Sequence, residues 1–224
     1  KNFKNYIEAK FRLLDSQTKQ SVAFVKKNDS VIAKRLKSKK YKQKIIKIDT
    51  SLKPTIFEKI KNKYFMSSGN RENLIFVLKI CKILNLNNEK ILRTINKFKG
   101  LKYRQQIIFE NNHLTIINDS KSTSLASSVN LLKNLKNVYW ILCGIPKKGD
   151  KFNLTKFQCK HFKGYIFGKH QTEFSKNLKN KLTIKKFKNL KDTLNQIFLE
   201  IKYNKVEKNT ILFSPAGASF DNFK

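Results

Sequence analysis

The chain has 224 residues and a formal net charge of +34, from 49 Lys and Arg against 15 Asp and Glu. Hydrophobic residues make up 40% and aromatic residues 12%, enough for a packed core, which excludes a disordered basic tail. No run approaches ~18 consecutive apolar residues, which excludes a membrane-spanning helix. At ~150 residues per domain, the length predicts one or two domains.

The positive charge has two possible origins. Lysine greatly outnumbers arginine, and Asn, Ile and Phe are abundant while Gly, Pro and Trp are rare. This skew is typical of an AT-rich genome, and the lysines are spread along the chain. A nucleic-acid-binding protein usually gathers its charge on one face and uses Arg to read base edges, so we favour compositional drift over a polyanion partner.

The first hundred residues alternate helical segments with short apolar strands. This part is α/β but lopsided, with too few strands to form a sheet alone. Gly100 marks a break, and we expect a domain boundary near residues 98–102. The predicted helices are residues 3–14, 29–36, 71–84 and 88–98, and the predicted strands are residues 21–25 and 45–48.

The second half begins with a hairpin pattern and continues with alternating strands and helices. Val138–Cys143 is a continuous apolar run, which is typical of a strand buried on both faces. The alternation predicts an α/β fold with a doubly wound, mostly parallel sheet. The predicted strands are residues 106–110, 114–117, 138–143, 165–167 and 211–213, and the predicted helices are residues 125–135, 173–178 and 190–203.

Three polar loops follow predicted strands, at residues 118–124, 144–150 and 214–219. Ligands bind at the carboxyl ends of strands in open α/β sheets, so we expect these loops to form one site. The first loop combines hydroxyls, Lys121 and a helix N-terminus, which suit an anion, although a plain helix cap is the alternative. The second loop has G-x-x-x-x-G spacing but continues with Asp150, so it is not a Walker A loop, and none occurs elsewhere.

Two cations have unusual surroundings. The helical neighbours of Lys10 are apolar, which would favour its neutral amine through desolvation, unless the side chain reaches past the rim to solvent. Arg104 stands where lysine is the usual cation, which suggests bidentate phosphate binding or an ordinary surface position.

Five motifs cover almost the whole chain in order: Tyr6-x-x-Ala-Lys-x-Arg12, Asn70-x-x-Asn73, Gly100-Leu101-x-x-Arg104, Ile117-Asn-Asp-Ser-Lys-x-Thr123 and Ser214-Pro-Ala-x-Ala-Ser-x-Asp-x-Phe223. Together they resemble the Mur ligases. The fifth motif points to the members that add D-glutamate.

The resemblance implies a domain organisation. Residues 1–99 would be the C-terminal half of a central ATPase domain, and residues 100–224 a C-terminal Rossmann-like ligase domain. The family's N-terminal UDP-binding domain and its Walker A loop have no counterpart in the sequence. We therefore expect the chain to be a fragment, inactive alone.

The resemblance also implies an activity. The enzyme would be a cytoplasmic, monomeric ligase of peptidoglycan synthesis that uses ATP and Mg²⁺ to join D-glutamate to UDP-N-acetylmuramoyl-L-alanine through an acyl phosphate. No membrane partner is expected, and nucleic acid is disfavoured. The alternatives are another Mur or folylpolyglutamate-type amide ligase, or a basic nucleic-acid-binding module.

Site residues follow from the resemblance by matching positions. Lys10 would be carbamylated and hold Mg²⁺, and Lys121 would lie at the reacting phosphate. The remaining matches are Asn70, Asn73, Arg104 and Asp119 on the nucleotide side and Thr123, Lys147, Ser219 and Phe220 around D-glutamate. The sequence departs from the family's motifs at Ser67, Gly69, Ser124 and Gly217. The first two departures weaken the nucleotide assignments more than the last two weaken the assignment of the glutamate site.

Overall fold

The structure is a computed structural model that describes residues 3–52, 54–204 and 206–218. The chain divides into two compact units. The first comprises residues 1–65 and 70–97, and the second comprises residues 66–69 and 98–224. None of the helices within the described ranges is long and apolar enough to cross a membrane.

In the described part of the chain, the first unit contains four helices, two strands and two short 3₁₀ segments. Asp29 begins the second helix by accepting a hydrogen bond from the backbone N–H of Ile32 at 2.9 Å. A small core of Ile60, Leu74 and Ile95 lies among the later helices. The elements are α1 (Phe3–Asp15), β1 (Val22–Lys26), α2 (Ser30–Ser38), β2 (Lys44–Ile48), 3₁₀ segments at Thr55–Lys59 and Lys63–Met66, α3 (Ser68–Ile83) and α4 (Asn88–Lys97).

The expectation that this unit has too few strands to form a sheet alone was wrong. The strands β1 and β2 pair with each other in parallel, from Val22 opposite Lys44 to Lys26 opposite Ile48, and form a two-stranded sheet. Parallel pairing is possible because α2 provides the crossover between the strands.

The second unit holds a six-stranded sheet in the order β3-β4-β9-β5-β7-β8. The first two strands form the predicted antiparallel hairpin, and all other pairs are parallel. The elements are β3 (Gln106–Glu110), β4 (Leu114–Asn118), α5 (Leu125–Leu132), β5 (Val138–Leu142), β6 (Ile145–Pro146), β7 (Phe162–Phe167), α6 (Gln171–Leu178), β8 (Thr183–Phe187), α7 (Leu190–Tyr203), β9 (Asn209–Phe213) and β10 (Gly217–Ala218).

Strand β5 runs through the centre of this unit and is buried along its whole length. Its side chains alternate between two cores, with Trp140 and Leu142 on the α5 and α6 face and Tyr139 and Ile141 on the α7 face. The predicted α/β class with a mostly parallel sheet is confirmed. Strand β9 follows α7 and lies between β4 and β5, so it is next to the two strands that precede the first and second polar loops.

Candidate functional site

The three polar loops meet at the carboxyl edge of neighbouring strands β4, β9 and β5. Backbone hydrogen bonds join them directly. The N–H of Asp119 donates to the carbonyl of Phe213 at 2.8 Å, and Cys143 donates to Pro215 at 3.1 Å. The N–H of Ala216 donates to the carbonyl of Ser122 at 3.1 Å. The structure thus brings these loops together as the strand order predicts.

Two glycines allow the second and third loops to approach closely. A Cβ on Gly144 would lie 2.5 Å from the carbonyl oxygen of Ala218, and one on Gly217 would lie 2.6 Å from that of Cys143. The φ of Gly144 is +83°, a conformation that side chains disfavour. The short antiparallel pair of β6 and β10 forms at this contact.

Asp119 is the buried carboxylate of this edge, with only 7% of its surface exposed. Its Oδ2 accepts a hydrogen bond from the Ser214 hydroxyl at 2.9 Å, and its Oδ1 accepts one from the backbone N–H of Gln105 at 3.1 Å. Burial raises the pKa of Asp119, and these two hydrogen bonds and the charge of Arg104 offset part of that effect.

The N-terminus of α5 is capped by groups of the protein itself, which is the alternative that the sequence left open for this loop. The Ser124 hydroxyl caps the helix and accepts from the backbone N–H of Ser127 at 3.2 Å. The carboxylate of Asp150 accepts from the backbone N–H of Leu125. The helix cap is therefore the correct interpretation, and Asp150 ties the second loop to the first.

The loops that meet at this edge carry exposed cations and an exposed hydroxyl. Lys121 and Thr123 are exposed on the first loop, and Lys147 is exposed on the second. The loop of Lys121 is held by its backbone N–H, which donates to the carbonyl of Tyr103 at 3.1 Å. Arg104, beside Tyr103, is exposed as well. Such an edge suits a ligand that carries carboxylates or phosphates.

The remaining matched residues within the described ranges lie in the first unit. Asn70 is buried on α3 and donates to the carbonyl of Tyr64 at 2.8 Å, whereas Asn73 is exposed one turn later. The amide of Asn70 therefore supports the local fold. Contact of Asn70 or Asn73 with a nucleotide stays a prediction.

Lys10 lies at an open, mostly apolar cavity of about 440 Å³ between α1, β1 and α2. Its side chain is exposed, with Nζ 5.5 Å from the centre of the Tyr6 ring. Of the two interpretations of Lys10, the one in which its side chain reaches solvent is correct, and Tyr6 and Leu13 beside it are themselves 58% and 68% exposed. Its carbamylation stays a prediction.

Ser219 and Phe220 lie outside the described residues. Within the described ranges, no group of three or more His, Cys, Asp or Glu side chains is placed to hold a metal ion. The three cysteines in those ranges, Cys81, Cys143 and Cys159, carry free thiols.

Sequence reasoning missed the residues that support this edge. Asp150 was noted only as a mismatch to a Walker A loop. Ser122, Ser128 and Ser214 are buried and hydrogen-bonded to one another, which spacing along the chain does not reveal, since Ser214 lies 86 positions after Ser128.

Comparison with known proteins finds similar sequences that share one name. No family model matches the chain. It is 34% identical over 157 residues to the UDP-N-acetylmuramoylalanine--D-glutamate ligase of Wolbachia sp. subsp. Brugia malayi, covering 70% of this chain and 31% of that protein. It is 33% identical over 238 aligned positions to the enzyme of that name from Petrotoga mobilis, covering 100% of this chain and 53% of that protein. The chain thus spans between about a third and half of these relatives' length.

Solved structures share the fold. The MurF structure from Acinetobacter baumannii superposes with a TM-score of 0.70 at 16% identity, covering 95% of this chain and 52% of that one. The MurF ligase from Thermotoga maritima in complex with ADP gives a TM-score of 0.67 at 11% identity, covering 95% and 54%. Folylpolyglutamate synthetase from Helicobacter pylori gives 0.52 at 15% identity, covering 95% and 55%.

Proposed function

We propose that this chain, which belongs to the Mur ligase family, is part of an ATP-dependent ligase that joins D-glutamate to UDP-N-acetylmuramoyl-L-alanine in peptidoglycan synthesis. The observation that carries the proposal is the meeting of the three loops at one sheet edge, on which Lys121, Thr123 and Lys147 are exposed. Relatives with the D-glutamate ligase name match this chain at 30% identity or more.

The proposed reaction has two steps. The alanine carboxylate attacks the γ-phosphorus of ATP, so that an acyl phosphate forms and ADP leaves. The amine of D-glutamate then attacks the acyl carbon, phosphate leaves, and the nitrogen gives up a proton as the amide forms. Catalysis of such a transfer is mainly positioning and charge stabilisation.

The residues of this edge suit the second substrate. D-Glutamate carries two carboxylates, and each needs cationic or hydroxyl donors when it leaves water. Lys121 and Lys147 are exposed ammonium groups on loops that Asp150 ties together, and Thr123 adds a hydroxyl. The same edge holds Asp119, whose carboxylate is an acceptor for hydroxyl groups such as those of a ribose.

The cofactor proposal rests on the family. The neighbouring MurF structure from T. maritima is a complex with ADP, which supports a nucleotide site in this fold. Among the described residues, His, Cys, Asp and Glu side chains do not gather into a group of three or more that could hold Mg²⁺. A carbamate on Lys10 would supply oxygen ligands, which Mg²⁺ prefers. A cytoplasmic location and a monomeric full-length enzyme belong to the same proposal.

Replacement of Lys147 tests the assignment of this edge. In the full-length enzyme that contains this chain, we expect Lys147→Ala to raise the KM for D-glutamate about 10- to 100-fold, since a charge-assisted hydrogen bond contributes roughly 1.5–3 kcal/mol. The KM for ATP should stay nearly unchanged.

Lys148→Ala provides the matched control, because Lys148 is the exposed neighbour of Lys147 in the same loop. We expect it to leave both KM values near those of the wild type. Equal losses for both substrates in Lys147→Ala would indicate a folding defect. A loss for ATP alone, or a loss of D-glutamate binding in Lys148→Ala only, would show that the role given to Lys147 is wrong.

A further inference from the structure

A row of buried hydroxyls leads away from Asp119 into the interior of the second unit. The Ser214 hydroxyl lies 2.9 Å from Asp119 Oδ2, and the Ser128 hydroxyl lies 2.7 Å from that of Ser214. The Ser122 hydroxyl is next, at 3.0 Å from Ser128. All four residues are buried, and Ser128 and Ser214 are wholly inaccessible to solvent.

The row continues to the surface at the first turn of α5. The Ser122 hydroxyl lies 2.6 Å from that of Ser127, which is exposed. The Ser127 hydroxyl in turn lies 2.6 Å from the carbonyl oxygen of Ser124. A continuous series of hydrogen-bond contacts therefore joins a buried carboxylate to a solvent-exposed hydroxyl.

The number of protons in this row depends on the state of Asp119. Five contacts join Asp119 to the Ser124 carbonyl, and each needs one proton between its two oxygens. Each of the four serines in the row supplies one proton, whereas a carbonyl or an ionised carboxylate supplies none. One contact therefore lacks a proton while Asp119 is ionised. All five are satisfied when Asp119 is protonated and every hydroxyl donates toward α5.

We propose that these serines form a proton path between solvent at α5 and Asp119, and that Asp119 stores the proton. In the ionised state every hydroxyl donates toward Asp119. For uptake, Ser214 passes its proton to Asp119, and each following hydroxyl passes its own one step along. Ser127 takes the replacement proton from hydronium in the solvent, which becomes water, so the net change is one proton gained by Asp119 and all hydroxyls reversed.

The groups around Asp119 have opposite effects on its protonation, since some favour the ionised form and burial favours the protonated form. Arg104 faces it from the segment before β3, and its positive charge favours the ionised form, as does the backbone N–H of Gln105. Burial favours the protonated form and raises the pKa of Asp119. The side chains that face it from β9 and α5 are uncharged serines, and Lys121 on its own loop is exposed. The proposal does not depend on the ligase activity.

Removal of the Ser128 hydroxyl interrupts the row of hydrogen bonds. The direction in which the pKa of Asp119 then changes tests the proposal. In Ser128→Ala, a protonated Asp119 can still donate to Ser214, but the Ser214 proton then has no acceptor in the row. The ionised form keeps its hydrogen bond from Ser214. We therefore expect the pKa of Asp119 to fall by about half a unit to one unit, the equivalent of one ordinary hydrogen bond.

Carbon NMR of the carboxyl groups during a pH titration of the 224-residue chain measures this pKa. The chain has seven aspartates, and Asp119→Asn identifies the signal of interest. Ser128→Thr should restore the wild-type value. Ser175→Ala is the matched control, because Ser175 donates to the carbonyl of Gln171 on α6, outside the row, and should leave Asp119 unaffected.

If the serine hydroxyls only stabilise the ionised form of Asp119, the pKa is expected to change in the opposite direction. Loss of Ser128 would then weaken the Ser214 donor and raise the pKa of Asp119. A raised or unchanged pKa in Ser128→Ala overturns the proposal. Ser122→Ala breaks the next contact and must lower the same pKa, which keeps the test valid if Ser128→Ala does not fold.

Discussion

At the scale of single residues, Glu200 illustrates how a carboxylate is held in a protein rich in lysine. It lies on α7 and accepts hydrogen bonds from Lys163 at 2.8 Å, Lys185 at 2.8 Å and Gln196 at 3.1 Å. Burial alone would raise its pKa, but these donors outweigh burial and lower the pKa from 4.5 to about 2. The Tyr165 hydroxyl is buried beside it without a hydrogen bond of normal geometry.

This lowered pKa predicts an acid-dependent contribution to stability. Because the folded-state pKa lies below the unfolded value, the contribution is full above pH 4.5 and is lost as the pH falls toward 2. At neutral pH, Glu200→Gln should reduce the free energy of unfolding by roughly 1.5–3 kcal/mol, since hydrogen bonds to a charged group are lost. Urea unfolding of both proteins across this pH range should show the difference shrinking in acid.

Glu173→Gln is the control for this prediction. Its side chain is 59% exposed and pairs with His170 on the surface, so its removal should change stability little at any pH. A difference between wild type and Glu200→Gln that stays constant from neutral pH down to pH 2 would contradict the account of Glu200.

Residue roles were predictable only where local sequence decides them. Helical spacing correctly identified the apolar neighbours of Lys10. It does not show whether other residues cover that face of the helix, and Tyr6 and Leu13 are exposed. The serine row could not be predicted either. Its members come from the loop before α5, from α5 itself and from the residue after β9, and only the folded sheet brings them within hydrogen-bond distance.

At the scale of elements, strands with buried faces were predictable, as was the edge strand β3 in its hairpin, whereas the edge strand β8 was not. The continuous apolar run of β5 identified it from sequence. Strand β8 was missed because it lies at the edge of the sheet, where Lys185 and Lys186 can be exposed and no apolar run is needed. The two-residue strands β6 and β10 were also missed, since they depend on contact between two loops.

The contact between these loops makes a prediction about Gly144. Gly144→Ala should destabilise the protein in two ways, through its positive φ and through a Cβ placed 2.5 Å from Ala218. Gly149→Ala is the matched control, because Gly149 has a φ of +76° but no atom within 4 Å of a Cβ. We expect Gly149→Ala to cost about 1–2 kcal/mol and Gly144→Ala about 1–3 kcal/mol more, measured by urea unfolding. Equal losses would show that the loops do not approach this closely.

At the scale of the whole molecule, the positive charge is spread over the second unit. Lys121 and Lys147 lie at the carboxyl edge of the sheet, while Lys176, Lys179 and Lys186 line an open cavity of about 410 Å³ beside α6 and β8. This spread fits compositional drift better than a single nucleic-acid-binding face. The proposed function would use only the small part of this charge that lies on the loops around Asp119.

The fold class, the two-part organisation and the meeting of three loops all follow from the order of strands and motifs along the chain. The chain matches roughly a third to half of the relatives' length. Residues 1–99 and 100–224 as parts of two ligase domains stay a prediction of the family resemblance.

The most direct test of the central claim is ligation by the full-length protein that contains this chain. With ATP, Mg²⁺ and UDP-N-acetylmuramoyl-L-alanine, the account predicts that radiolabelled D-glutamate enters the product with stoichiometric release of phosphate, while L-glutamate does not. The 224-residue chain alone should release no phosphate, because its sequence lacks the Walker A loop that holds the β- and γ-phosphates. Transfer of a different amino acid, or glutamate addition to a folate in place of the muramoyl substrate, would contradict the proposed function.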